Sequence, residues 1–162
     1  MHPLIITQLL ILLMLANGTP VIAKKIFGDR YSYPLDGNLT FADRRPLLGR
    51  SKTIRGVVLA ILVTTAGAPL IGLGWRIGLA LGSFAMAGDL VSSFSKRRLN
   101  VPSSGRASGL DQIPESLFPL LACRTALSLT TADIGVCVVI FFIGEVLLSR
   151  LLYAWRLRDR PY

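Results

Sequence analysis

Residues 56–98 read GVVLAILVTTAGAPLIGLGWRIGLALGSFAMAGDLVSSFSKRR. Two stretches, 56–75 and 77–94, flank a tight Gly72–Arg76 turn, and Lys96-Arg97-Arg98 closes the run. The first stretch has no charge, and the second has only Asp89. Each approaches the roughly 20 apolar residues a helix needs to cross a bilayer. Neither alternates apolar and polar residues with a period of two. Lipid tolerates only helices and closed barrels, because the backbone must satisfy its own polar groups there. The stretch therefore predicts a pair of membrane helices.

The same pattern extends in both directions. Residues 3–23 carry no charge and predict a first helix. Residues 115–132, apolar after Glu115 except for Arg124, predict a fourth, and residues 134–149, with only Glu145, predict a fifth. The expected fold is an all-α polytopic membrane protein, with five transmembrane helices in a single membrane domain over 1–162. Residues 4–16 also resemble the apolar part of a signal peptide, with the small Ala16 at its end. However, no Lys or Arg leads it, and the apolar run continues to Ala23, so a retained helix is expected.

Composition supports this reading. Of the 162 residues, 52% are hydrophobic and 17% charged, where a soluble domain carries about 25% charged residues. Eighteen Lys and Arg face nine Asp and Glu, a net charge of +9. Sixteen of those eighteen lie in three segments: 24–55, 95–114 and the tail 150–162. With five crossings all three fall on one membrane face, and an even number would split them. Basic segments stay cytoplasmic. The expected topology has the N-terminus outside, the C-terminus cytoplasmic, and cytoplasmic loops at 24–55 and 95–114, in the cell (plasma or inner) membrane.

Other chemistries lack parts. His2 is the only histidine, so no His-based triad or metal site is expected. Cys123 and Cys137 lie in apolar stretches and suggest neither a disulfide framework nor a zinc site. The basic residues follow topology, and no soluble domain carries them, which argues against nucleic acid as a partner. The segment Gly49-Arg50-Ser51-Lys52-Thr53 lacks the spacing of a P-loop.

What remains is a cluster of charges at one membrane face. On a helix, Asp89, Ser93 and Lys96 share one side. An intramembrane carboxylate is costly and marks function by default, the alternative being an ion pair with Lys52 or Arg124 that only holds helices together. Asp111 stands just before the fourth helix, and Glu115 suits the positive end of that helix dipole. Arg124 either pairs with Glu145 or reaches a lipid phosphate. Two carboxylates beside Lys52, Arg55, Lys96 and Arg97 have the composition of a Mg²⁺-dependent phosphate site. The segment Asn17-Gly18-Thr19-Pro20 reads as a break in the first helix near that face.

These stretches together resemble the CDP-archaeol synthase family, membrane CTP-transferases related to phosphatidate cytidylyltransferase. The resemblance rests on Asn17 to Val21, Leu35-Asp36-Gly37, Phe41 to Gly56, Gly88-Asp89 through Arg98, and Leu110 to Glu115. It implies transfer of CMP from CTP to an isoprenoid lipid phosphate with Mg²⁺, giving a CDP-lipid and pyrophosphate. By this resemblance Asp89, Asp111 and Lys96 are catalytic. Lys52, Thr53, Arg55, Ser93 and Arg97 bind substrate and nucleotide, and Asp89, Asp111 and Glu115 take the metal. Ser95, Arg55 and Gln112 depart from the bacterial cytidylyltransferase signature, which favours the archaeol branch. Phosphatidate as acceptor, and a non-enzymatic lipid transporter or lipid-docking subunit, stand as alternative readings. The oligomeric state is not legible in the sequence.

Overall fold

The computed structural model describes residues 2–102 and 109–154, with side chains as far as Ser149. The described residues form five helices: α1 (Pro3–Phe27), α2 (Ile54–Leu70), α3 (Trp75–Arg98), α4 (Gln112–Ala122) and α5 (Thr131–Ala154). Among the described residues the only extended pairing is two isolated bridges, Pro34 with Thr53 and Thr40 with Pro46. α1, α3 and the Thr131–Ser149 part of α5 are long and apolar enough to cross a membrane. At 17 residues α2 is somewhat shorter, about 25 Å.

Leu9, Leu12 and Leu13 of α1, Leu81 of α3, Leu120 of α4 and Phe141 of α5 meet in one buried cluster. α2 and α3 approach closely because small residues face each other. A Cβ on Gly82 would lie 3.1 Å from the Thr64 Cβ, and one on Gly78 would lie 2.7 Å from the Ala68 Cβ. In lipid, where apolar contact with a neighbouring helix and with lipid tails is nearly equivalent, such close packing holds helices together.

α1 does not break at Asn17–Pro20 as the sequence suggests. It runs on through Pro20 to Phe27, with the Thr19 hydroxyl donating to the Leu15 carbonyl at 2.5 Å. Local side-chain bonding of this kind lets a membrane helix carry an internal proline.

The fourth helix differs more from expectation. The apolar run 115–132 forms helix only as far as Ala122, and turns follow through Ser128, whose φ is +51°. Thr130 and Asp133 then start α5 as a reciprocal cap. The Asp133 amide donates to the Thr130 hydroxyl oxygen at 3.1 Å, and the Thr130 amide donates to the Asp133 carboxylate at 3.0 Å. His2 closes the same carboxylate from α1, its backbone amide donating at 3.0 Å. The Thr130-x-x-Asp133 spacing is a capping-box signal, and it outweighs the continuous hydropathy around it.

Eleven residues span only about 16 Å, half of a bilayer core. α4 nevertheless reaches deep, because it does not start level with the end of α3. A Cβ on Gly88 would run into the Pro114 carbonyl and lie 2.8 Å from the Glu115 amide. Gly88 is ten residues, about 15 Å, back from Arg98. The first turn of α4 therefore sits inside the bundle, pressed on the α3 backbone, and this contact places Glu115 beside Asp89.

Gly88→Ala should overpack this crossing and destabilise the detergent-solubilised protein by about 1–3 kcal/mol, read as a lowered thermal midpoint. Gly135→Ala, where a new Cβ meets nothing within 4 Å, should leave the midpoint unchanged or raise it.

Candidate active site

The site is built first by the loop between α1 and α2. Asp36 is buried, and its carboxylate accepts from the Asn38 amide at 3.1 Å, the Leu48 amide at 2.8 Å and the Gly49 amide at 3.0 Å. Burial pushes this carboxyl up, but the three amides outweigh it and hold it below the usual aspartate range. The loop is thereby folded back on itself. The Leu35 amide then donates to the Lys52 carbonyl at 2.8 Å, and the Ile54 amide donates to the Tyr33 carbonyl at 3.0 Å. These bonds fix Lys52 from both sides.

Thr53 caps α2, its hydroxyl accepting from the Gly56 amide at 3.2 Å. Gly56 has to be small, because a Cβ there would lie 3.1 Å from that hydroxyl and 3.3 Å from the Pro20 Cβ. The start of α2 therefore rests against α1, and Lys52 points inward toward α3. Its ammonium donates to both oxygens of Asp89, at 2.5 and 2.6 Å. About one-sixth of each side chain remains exposed.

Glu115, buried in the first turn of α4, lies close to Asp89, because that turn is pressed on the α3 backbone at Gly88. The sequence reading of Glu115 as a helix-dipole residue is correct for its position, but the side chain faces another carboxyl. Two carboxyl groups this close share either a proton or a cation. Glu145 of α5 acts electrostatically on Glu115 from the far side.

A second ion pair lies further along α3. The Lys96 ammonium is 2.7 Å from the Asp111 carboxylate, and both residues are buried. Arg97, also buried, donates to the Pro102 carbonyl at 2.9 Å and feels the charge of Asp111. Ser93, one turn from Asp89, has a buried hydroxyl without a hydrogen-bond partner among the described residues. So does the Nε of Arg97.

The residues singled out in the sequence thus fall into two neighbouring groups, Lys52–Asp89–Glu115 and Lys96–Asp111–Arg97. Among the described residues no three His, Cys, Asp or Glu groups are placed to hold a metal ion together, so Asp89, Asp111 and Glu115 do not assemble as one set here. Arg55 leans outward. It donates to the carbonyls of Arg30 and Gly28 and stacks over the Phe27 ring at 5.6 Å, while still lining the cavity described next. Arg124 lies in the turn before α5, about 20 Å along that helix from Glu145, and does not pair with it.

Arg98 is a structural residue that sequence reasoning did not single out. It donates to Asp43 and to the Pro46 carbonyl, both at 2.7 Å, and stacks on Phe41 and Phe94. It thereby staples the loop to the end of α3. The alternation of Phe41, Asp43 and Arg98 with no shared motif gives no sequence signal for this.

The loop together with α1, α2 and α3 lines a polar cavity of about 710 Å³. Lys24, Arg50, Lys52 and Arg55 line it together with Asp29 and Asp89. The excess of cations suits a triphosphate, and the Lys52–Asp89 pair stands at the inner wall.

A five-helix bundle with a cation-rich cavity and intramembrane carboxyls at one end defines a membrane enzyme that handles phosphates. The comparisons agree. A solved structure described as an intramembrane enzyme for archaeal membrane lipids biosynthesis superposes with a TM-score of 0.71 and 26% identity, over 86% of this chain and 91% of that one. The CDP-archaeol synthase of Sulfurisphaera tokodaii is 32% identical over 155 residues, 92% of this chain and 90% of its own length. That of Methanopyrus kandleri is 36% identical over 132 residues, 75% of this chain and 59% of its own length. The family model CarS-like, CDP-archaeol synthase, matches residues 1–162. The chain belongs to the CDP-archaeol synthase family.

Because the Asp36 carboxyl is depressed in the folded loop, its stabilisation is complete above the unfolded value of 3.8 and is lost as pH falls through the lower folded value. Protection of residues 28–53 from proteolysis should therefore fall on acidification. In Asp36→Asn it should be weaker at neutral pH and should lack that acid-dependent step.

Proposed function

We propose that the polar cavity holds CTP and that CMP passes from it to an isoprenoid, archaeol-type lipid phosphate at the membrane surface. Membership of the CDP-archaeol synthase family makes the chain a membrane-bound CTP-dependent cytidylyltransferase that forms a CDP-lipid. The observation that carries the site assignment is the double contact of the Lys52 ammonium with Asp89 at the wall of the cation-rich cavity.

Both substrates are anions, so the first task is to neutralise and position them. Lys24, Arg50, Lys52 and Arg55 offer charge to the triphosphate. Arg provides a fork and Lys a movable point charge. An oxygen of the lipid phosphate attacks the α-phosphorus of CTP. The new P–O bond joins lipid phosphate to CMP, the bond to the β-phosphate breaks, and pyrophosphate leaves with the electron pair. No protein nucleophile is required, because the attacking phosphate is already ionised.

Asp89 and Glu115 fit a Mg²⁺ ion. That ion commonly takes only one or two carboxylates and fills its other positions with phosphate oxygens and water. When bound it supplies charge neutralisation along the triphosphate. Lys52 is the cation that Asp89 holds without it, and a substrate phosphate is the natural new partner of Lys52. The same exchange applies at the second pair. Lys96 turns to a phosphate, and Asp111 becomes available as a further carboxylate. Ser93 and Arg97, with buried donors to spare, and Thr53, at the α2 cap, complete the substrate-binding set.

The site faces the cytoplasm of the cell membrane in this reading, with the N-terminus outside and the C-terminus inside. The one-sided distribution of basic residues supports it. A topology reporter fused after Tyr162 should read cytoplasmic. An external signal would overturn the orientation.

Purified protein with Mg²⁺ should incorporate radiolabelled CTP into an archaeol-type lipid phosphate. Asp89→Asn and Lys52→Met should each lower this rate at least 100-fold while the protein still elutes as folded material, in line with the loss of one charge-stabilising group. Unchanged activity in either would overturn the site. Preference for phosphatidate would move the acceptor to the diacyl class.

A further inference from the structure

Exposed apolar side chains on the spanning helices have lipid to face. Those between α1 and α2 need another account. Ile26, in the last turn of α1, and Tyr31, Tyr33 and Leu39, in the loop, are between 63% and 71% exposed, and Phe41 is 46% exposed. Single exposed apolar residues are ordinary, but large ones recurring along 26–41 mark a surface that meets something other than water.

The depth of these residues follows from the helices they touch. Trp75, with Arg76 stacked on it at 5.5 Å, opens α3 at one membrane interface, where aromatic rings and Arg are at home. Phe94 lies 19 residues further along α3, about 28 Å, close to the thickness of a hydrocarbon core. The Phe41 ring packs edge-on against Phe94, with centroids 5.4 Å apart, so Phe41 stands at the opposite interface. The Tyr33 carbonyl accepts from the Ile54 amide at 3.0 Å, which puts Tyr33 level with the first residue of α2. The apolar side chains of the loop therefore lie at the head-group boundary and not in the water above it.

Cations stand among them. Lys25, Arg30 and Arg44 are exposed on the same stretch. Of the three acidic residues in 24–45, Asp36 is buried under backbone amides and Asp43 is paired with Arg98 at 2.7 Å, which leaves Asp29. Apolar side chains that enter the head-group zone between cations fit a surface of anionic lipid.

We propose that the α1–α2 loop is an interfacial collar. Ile26, Tyr31, Tyr33, Leu39 and Phe41 insert among the head groups of the surrounding bilayer, and Lys25, Arg30 and Arg44 bind its anionic lipids. The level of Tyr33 and Phe41 with the ends of spanning helices favours lipid over a soluble protein partner. The collar depends neither on the transfer reaction nor on which face of the membrane carries it.

The probe is a single tryptophan in the full-length protein, reconstituted in vesicles of phosphatidylcholine and phosphatidylglycerol. On a Trp75→Phe, Trp155→Phe background, Tyr31→Trp, Tyr33→Trp and Leu39→Trp each report on the loop. Val139→Trp, exposed and eight residues into α5, reports on the hydrocarbon core. The quencher is lipid brominated either near the head group or deep in the acyl chain. Shallow bromine should quench the loop tryptophans at least twofold more than deep bromine, and Val139→Trp should show the reverse. Shallow bromine carried on phosphatidylglycerol should quench the loop at least twofold more than the same amount carried on phosphatidylcholine. The combined Lys25→Gln, Arg30→Gln and Arg44→Gln variant should lose that head-group preference and keep the depth pattern. Salt at about 1 M, where the screening length is about 3 Å, should do the same.

Loop tryptophans that shallow bromine leaves unquenched would put the loop in water or against a protein and would overturn the proposal. Equal quenching by the two head groups would also overturn it. So would loop emission that changes with the protein-to-lipid ratio, which would assign the surface to contact between copies of the chain.

Discussion

The contact between the Lys52 ammonium and the two oxygens of Asp89 is the constraint that organises this protein. A carboxylate within a membrane helix has to be compensated, and here the compensating charge comes from a loop. Removing one member of a fully buried pair costs about 3–5 kcal/mol, and slightly less where a sixth of each side chain meets solvent. The loop must therefore be ordered well enough to deliver Lys52 to one point. Asp36, the Thr53 cap and the Arg98 staple all serve that end. An ion pair of this kind is a modest source of stability but a good reservoir of binding groups. In the proposed reading, each partner satisfies the other until a ligand of opposite preference arrives.

The helices serve the same geometry. Gly88 lets α4 press on α3, which brings Glu115 to Asp89 from inside the bundle. Gly56 lets α2 start against Pro20, which aims Lys52. In both places a glycine is needed for a close approach beside a residue of the proposed site. The site is thus made where three helix ends converge, one of them starting well below the level of its neighbours.

Much of this was legible in the sequence. Hydropathy alone marked all five helices, since a lipid environment leaves few other ways to satisfy a backbone. The pairing of Asp89 with Lys52 was anticipated as a possible ion pair. Three features were not legible. The end of α4 at Ala122 is set by a capping box at Thr130 and Asp133, a local polar signal masked by apolar neighbours. The placement of Glu115 against Asp89 depends on the depth at which α4 begins, which only the Gly88 contact determines. The separation of Asp111 from Asp89 into its own pair with Lys96 follows from side-chain reach, and sequence order carries no information on that.

The central claim is that Lys52 and Asp89 form a ligand-exchangeable pair as well as a structural one. The most direct test is a double-mutant cycle on equilibrium binding of CTP with Mg²⁺, using Lys52→Met, Asp89→Asn and the double variant in detergent. The account predicts that each single change weakens binding at least tenfold. It also predicts that the double variant binds no better than either single, because each residue holds part of the ligand. A double variant that restores wild-type affinity would show that the pair only props the cavity open, and would contradict the account.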